Sequence, residues 1–191
     1  MCLVEGHGDK EAVPVVVRRV AAYLGLNVTI RDSIRVSRSA LAKADQLGRY
    51  VRLASAKAGP AGAILIVFDA DEDCPAELAT LLLPAAQTAA GRANVGLVLA
   101  KREFEAWLLA AAESLRGRRG LGETFMSPAP PEEVRSPKQR LSAEMGRDRG
   151  YKETTDQPAL AALFDIDLAR SRSDSFDKLC REVERLLGMR G

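Results

Sequence analysis

The chain is poor in the residues that carry covalent and soft-metal chemistry. Its 191 residues include one histidine, His7, and three cysteines, Cys2, Cys74 and Cys180. No two cysteines stand as CxxC, which argues against a disulfide framework and a structural zinc site and makes a reducing cytoplasm the expected location. The thiols lack a neighbouring base and a lone histidine completes no Ser/His/Asp arrangement, so covalent acyl chemistry is not expected. There is no GxxxxGK[ST] run, and the pair Gly6 and Gly8 falls short of a dinucleotide fingerprint. No apolar run reaches the roughly 18 to 20 residues of a membrane-spanning helix, and the N-terminus shows no basic leader, so no membrane association is expected. Charge of one sign is not in excess either. The net charge is +2, and through Leu115 basic and acidic residues balance at thirteen each. Bulk charge therefore does not advertise a nucleic-acid partner, although local patches can.

What is present is an ordinary globular composition, 47% apolar and 28% charged, in a chain long enough for one good hydrophobic core. Cys2-Leu3-Val4 reads as a strand running into the polar turn Glu5 to Asp9. It is short for an interior strand, so it is either clipped or begins upstream. Val13, Val16, Val17, Val20 and Leu24 then share one helical face, with Pro14 expected in the first turn, where its missing amide does no harm. Leu26 to Ile34 reads as a strand, Ser39 to Ala58 as a helix closed by Gly59-Pro60, and Gly62 to Phe68 as the clearest strand of all. A continuous apolar run of that kind implies burial on both faces, in the middle of a mostly parallel sheet. Pro75 opens a helix that uses Leu78, Leu81, Leu82 and Ala85; Asn94 to Ala100 is another buried strand; a helix from Lys101 turns Phe104, Trp107, Leu108, Ala111 and Leu115 inward. Strand and helix alternating in this way call for an open, right-handed α/β sheet.

The organisation expected is an α/β core over 1–115, a loop or insertion over 116–137 rich in glycine, proline and charge, and a helical C-terminal extension over 138–191 packed on the core. Within the extension, helices are expected over Lys138 to Met145, Ala159 to Ala169 and Phe176 to Leu187.

The chemistry begins at Asp69 and Asp71, which follow the buried strand at i and i+2. If the extended geometry persists, both side chains point the same way, at the carboxyl end of a parallel sheet where ligands bind. Like charges packed there need a cation, a shared proton or water. Carboxylate oxygens without a thiol pair or histidine cluster favour Mg2+ or Mn2+ over zinc. Glu5 occupies the equivalent place after the first strand, where Gly6 and Gly8 would allow a tight turn or close approach to a phosphate. Asp9 is a further ligand or a helix cap. Of Glu103 and Glu105, one would reach the cluster and the other face solvent. An acidic turn such as Asp71-Glu72-Asp73 is, by itself, as well explained as a solvated loop. Arg135 to Lys152 carries a local excess of positive charge, in which Lys138, Arg140, Arg147, Arg149 and Lys152 would neutralise phosphates if the segment wraps toward the acidic site, or form a solvated basic loop if it does not. Trp107 is expected in the core rather than as a stacking platform.

At Val4-Glu5-Gly6-His7-Gly8-Asp9, Phe68-Asp69-Ala70-Asp71 and Arg102-Glu103-Phe104-Glu105-Ala106-Trp107 the sequence resembles the uncharacterised domain family numbered 4276, of the Toprim-like group. The resemblance extends over nearly the whole chain, including Lys138 and the stretches Tyr151 to Gln157 and Ser173 to Phe176. It implies a Toprim-like, Rossmann-like mostly parallel sheet flanked by helices, as in topoisomerases, bacterial primases and the overcoming-lysogenisation-defect nucleases. In that group the glutamate after the first strand and the DxD aspartates surround magnesium and act on phosphodiester bonds. Glu5, Asp69 and Asp71 match those positions; Asp9 and either Glu103 or Glu105 match the further acids of a two-metal site, and Lys138 matches a basic residue that contacts phosphate. No tyrosine is placed for topoisomerase chemistry, and no ATPase or zinc module is attached. The implied function is a metal-dependent phosphodiesterase or nuclease acting on DNA or RNA. The rivals are a noncatalytic module that binds nucleic acid or protein, and a metal-dependent nucleotide phosphotransferase. Fitting partners are a nucleic acid, a second copy of the chain in a homodimer, or a partner ATPase.

Overall fold

A computed structural model describes residues 1–146 and 149–188. Its centre is a four-stranded sheet formed by β1 (Cys2–Val4), β2 (Ile34–Arg35), β3 (Ala63–Asp69) and β4 (Asn94–Ala100), all parallel, in the order β2-β1-β3-β4. Leu3 lies between Ile34 and Ile66, and Val67 pairs with Val98. The helices α1 (His7–Tyr23), α2 (Arg38–Leu41), α3 (Ala44–Ala58), α4 (Pro75–Ala90) and α5 (Glu105–Ala110) connect and follow the strands. This is the α/β class expected, consistent with a Rossmann- or Toprim-like arrangement.

The apolar run of β3 fills two cores because side chains alternate across a strand. Leu65 and Val67 pack with Val13, Val16 and Val20 of α1 and with Trp107. Ile64, Ile66 and Phe68 pack instead with Leu47 and Val51 of α3 and Leu82 and Ala86 of α4. Asp69, next in the phase of Leu65 and Val67, is thereby aimed toward the α1 side. The strand order reverses between β1 and β3, so their carboxyl ends flank a topological switch point, where the flanking connections diverge and leave a crevice.

Several elements differ from their sequence-based expectation. The strand over Leu26 to Ile34 reduces to Ile34–Arg35; Leu26, Val28 and Ile30 are instead partly buried packing residues outside the sheet. The helix over Ser39 to Ala58 breaks at Lys43, whose backbone is extended, giving α2 and α3. Leu81 is solvent-exposed, and α4 buries Leu82, Ala86 and Ala90, one residue around from the expected stripe. Because α1 starts at His7, Pro14 lies well inside it rather than in the first turn. The proline removes the amide that would bond the Lys10 carbonyl, and Lys10 is exposed, so water can satisfy that group.

The C-terminal part contains α6 (Pro137–Glu144), α7 (Glu153–Ala161), α8 (Ile166–Arg172) and α9 (Asp174–Gly188). The helix expected over Ala159 to Ala169 is thus two helices, interrupted before Asp165, whose carboxylate accepts from the Leu168 amide at 2.8 Å and caps α8. The segment from 117 to 137 is largely irregular, with a short 3-10 turn at Pro131–Glu133, yet it buries Leu121 and Phe125 in the core. Trp107 anchors this region. Its ring lies 4.9 Å from Phe104 and 5.5 Å from Phe176, and its Nε1 donates to Ser175 Oγ at 2.8 Å. The buried Glu132 carboxylate accepts from Ser173 Oγ at 2.6 Å and from the Ser175 amide at 3.1 Å. This network ties the start of α9 to α5 and so fixes the helix that carries Glu105. Among the described residues no helix is long and apolar enough to cross a membrane.

Candidate functional site

The crevice between β1 and β3 is a cleft of about 370 Å³ lined by Glu5, Gly6, His7, Asp9, Arg35, Ser37, Arg38, Asp69, Lys138 and Glu153. Three of the four strands deliver an acid at their carboxyl ends. Glu5 follows β1, Asp69 closes β3, and Glu105 begins α5 just beyond β4. Asp9, in the first turn of α1, is buried; it accepts from the Gly6 amide at 2.8 Å and from Gln157 Nε2 at 2.8 Å. It therefore caps its helix, the second of the two readings open from sequence, and its other oxygen faces α7 through Gln157. Asp69 Oδ1 accepts from the Phe104 amide at 2.8 Å, which joins the ends of β3 and β4.

The electrostatics are those of acids held closer than they would settle in water. Burial, followed by the charges of Asp9 and Glu105, raises Asp69 well above the usual carboxylate range. Burial raises Asp9, with Glu153 adding to it. Glu5 is raised by burial and by Asp71 and Asp9. Glu105 is fully buried, and burial pushes it up to about 8 against the opposing pull of Lys138 and Tyr151. Its Oε1 accepts from the Tyr151 hydroxyl at 2.8 Å, while Oε2 is buried without a hydrogen-bond partner. Burial and the adjacent Glu105 carboxylate keep the Tyr151 phenol protonated far above its ordinary range.

Lys138 is the cation that faces these acids. Burial disfavours its charge, but Glu105, Asp69, Glu153 and Glu103 together outweigh that effect and hold the ammonium above the usual lysine range. Its Nζ lies 3.3 Å from Glu153 Oε2. Its backbone amide donates to Glu103 Oε2 at 2.9 Å, so Glu103 caps the start of α6 and Glu105 is the glutamate that turns toward the cluster.

Asp71 takes a different course from Asp69. Extended geometry ends at Asp69, and Asp71 adopts a left-handed backbone with φ of 51°. It stands exposed, 3.3 Å from Arg38 Nε, while its charge still reaches Glu5. The expected common direction of Asp69 and Asp71 does not hold, because the i, i+2 rule lapses where the strand ends. The glycines also differ from expectation. A Cβ on Gly8 would strike Gln157 Oε1 and lie 2.8 Å from the Glu153 carbonyl, and one on Gly6 would lie 2.7 Å from Glu153 Oε1. They let α7 close onto α1; the space beside them is filled by Glu153 and Gln157, not left open for a phosphate.

Of the described basic residues expected to turn inward, only Lys138 lines the cleft. Arg149 lies 2.7 Å and Arg119 2.9 Å from Asp156, and Arg140 pairs with Glu144 at 2.7 Å. Lys152 does not line the cleft, and Arg147 lies outside the described residues. Sequence reasoning passed over Glu153 and the cations Arg35 and Arg38. Glu153 stands on the helical face shared with Gln157, a spacing that signals a packed polar pair once the helix is known.

The donor atoms suit a hard divalent cation in kind: carboxylate oxygens, two of them, Glu5 Oε2 and Glu105 Oε2, buried without a hydrogen-bond partner. Among the described residues, however, no three His, Cys, Asp or Glu side chains are gathered as a set that could hold a metal ion. The acids are assembled around an ammonium group.

Fold and site together define a doubly wound α/β protein with an acidic switch-point cleft. The chain belongs to the family described as a domain of unknown function, DUF4276, whose model matches residues 4–184. No curated protein and no solved structure matches it.

Proposed function

We propose that the protein is a metal-dependent phosphodiesterase acting on nucleic acid. The observation that carries this reading is the convergence of Glu5, Asp9 and Asp69 on one cleft with Lys138, at the switch point of a parallel sheet. Acids buried together in this way gain from an additional cation, which would let them ionise. Glu5, Asp9, Asp69 and Glu105 would hold Mg2+ or Mn2+, with Asp71 acting from the rim through its charge. The ion would supply activation of water and neutralisation of the leaving oxygen. Lys138, freed from the acids it now faces, offsets charge on the phosphate. The Toprim-like pattern of Glu5, Asp69 and Asp71 in the sequence supports the same chemistry.

One observation favours a noncatalytic nucleic-acid-binding module instead: the Lys138 ammonium already faces the cluster, and no closed ligand set exists among the described residues. Incubation of the protein with plasmid, single-stranded DNA and RNA in Mg2+ or Mn2+, beside Asp69→Asn, separates the two. Hydrolysis lost in Asp69→Asn is expected. Equal hydrolysis by both proteins, or none under any condition, would sink the phosphodiesterase reading. Release of nucleoside phosphates without polynucleotide cleavage would point to phosphotransfer.

A further inference from the structure

We propose that Arg35, at the end of β2, and Arg38, at the start of α2, hold the phosphodiester backbone of a polynucleotide over the acidic cleft. This rests on the phosphodiesterase reading and names the arm that presents substrate to the site. Arg35 is the last residue of β2 and pairs in register with Val4, the residue before Glu5. Both arginines and Ser37 line the same cleft as Glu5, Asp69 and Lys138. Arg35 is exposed, and among the described residues its guanidinium makes no hydrogen bond or ion pair.

Arg38 is pre-positioned rather than free. Its Nε donates to Asp71 Oδ2 at 3.3 Å, and its Nη2 to Asp73 Oδ2 at 2.6 Å and to the Ala70 carbonyl at 3.4 Å. Its guanidinium carbon lies 5.1 Å from the Phe68 ring centroid. These contacts use Nε and Nη2 and leave the two N–H groups of Nη1 unengaged among the described residues. A guanidinium fixed on one side by carboxylates and a ring, with a free donor edge at a cleft, is arranged to bond an anionic oxygen. The acidic turn Asp71-Glu72-Asp73 thus acquires a role: it orients Arg38, while Glu72 pairs with Arg102 at 2.5 Å. Such an arm has a purpose, because the cleft's acids repel a polyanion and, of the described cations after Arg135, Arg140 and Arg149 are taken up by Glu144 and Asp156.

The test is fluorescence anisotropy of labelled single-stranded DNA, duplex DNA and RNA over a salt series, in EDTA so that turnover does not intervene. Arg35→Ala should flatten the slope of log K against log[salt] by roughly 0.7 to 0.9, the contribution of one phosphate contact. Arg35→Glu should weaken binding roughly tenfold at low salt. Arg38→Lys, which keeps the charge and loses the fork, should weaken it as well, with urea unfolding confirming an intact fold. Arg92→Glu makes the same charge change just before the opposite, amino end of β4 and should have the smaller effect. No binding of any polynucleotide by the parent, an unchanged slope in Arg35→Ala, or equal losses in Arg92→Glu and Arg35→Glu would each overturn the assignment. Hydrolysis is scored separately. Binding that needs Arg35 without hydrolysis anywhere removes the phosphodiesterase reading and leaves the arm. Hydrolysis with binding indifferent to Arg35 does the reverse.

Discussion

Replacement of Glu105 by glutamine should remove most of one pH-dependent loss of stability. Glu105 is fully buried in the folded protein, and burial raises its pKa from 4.5 to about 8. A carboxyl whose folded pKa lies above its unfolded one binds its proton more tightly when folded. Between about pH 4.5 and 8 the unfolded chain has therefore released a proton that the folded chain retains. Stability falls with rising pH across that window and levels off above it. Each pH unit is worth about 1.4 kcal/mol, so from pH 5 to pH 7 this one group costs about 3 kcal/mol.

Glutamine reproduces the neutral acid in shape and still accepts from Tyr151 through its carbonyl. Glu105→Gln should therefore match the wild type near pH 5 and exceed it by about 3 kcal/mol near pH 7. The measurement is urea unfolding in EDTA at half-unit pH steps, read from the emission of Trp107, the one tryptophan of the chain. Parallel stability curves for the two proteins from pH 5 to 8 would refute the reasoning. Saturating Mg2+ provides a second reading. If the cluster holds the ion, the acids stay ionised in the folded state and the wild-type slope flattens; an unaltered slope counts against metal at this site.

Two further outcomes follow from the same contacts. Gly8→Ala places a methyl group against Gln157 and the Glu153 carbonyl, so it should lower stability by about 1–3 kcal/mol in urea unfolding, the range for overpacking a tight helix contact. Asp69→Asn keeps an acceptor for the Phe104 amide and removes a charge that burial, Asp9 and Glu105 all oppose; its thermal midpoint in EDTA should exceed that of the wild type at pH 8, with the difference closing toward pH 4, while hydrolysis is lost. A midpoint below the wild type at pH 8 would show that the repulsion is not felt.

The sheet was legible because β3 is apolar from Ala63 through Phe68 and only burial on both faces explains such a run; Asp69 followed as the first charge, at its end. Phase could be carried along a strand but not past its end. Asp71 and Arg102 both adopt left-handed backbones, so neither the direction of Asp71 nor the choice between Glu103 and Glu105 was available from alternation. Pro14 shows the converse: its place in α1 depends on where the helix starts, and a start at His7 puts it where it withholds a donor from the Lys10 carbonyl. Gln157 meets Asp9 across 148 residues of chain, a pairing that no local spacing encodes. Arg35 and Arg38 were hidden because they fall between the strand expected to end at Ile34 and the helix expected to begin at Ser39; the pairing of β2 with β1 and the turn into α2 bring them to the cleft.

The position of Lys138 joins the two functional readings into one physical question. Glu5, Asp9, Asp69 and Glu105 are all raised, by burial first and then by neighbouring carboxylates: Asp71 and Asp9 at Glu5, Glu153 at Asp9, Asp9 and Glu105 at Asp69, and Glu103 at Glu105, so the site is short of positive charge even with the ammonium present. That deficit can be met by a proton on Glu105 or by a divalent ion, and the two are mutually exclusive in so far as a ligating carboxylate must be ionised. A noncatalytic module would meet it with the proton alone, and its pH slope would ignore Mg2+. A phosphodiesterase would exchange the proton for the ion, and Lys138, with a divalent cation beside it among the acids, would be released toward phosphate held by Arg35 and Arg38. The loss of a proton on metal binding is therefore the event that distinguishes the two, and it involves Glu105 before any substrate is present.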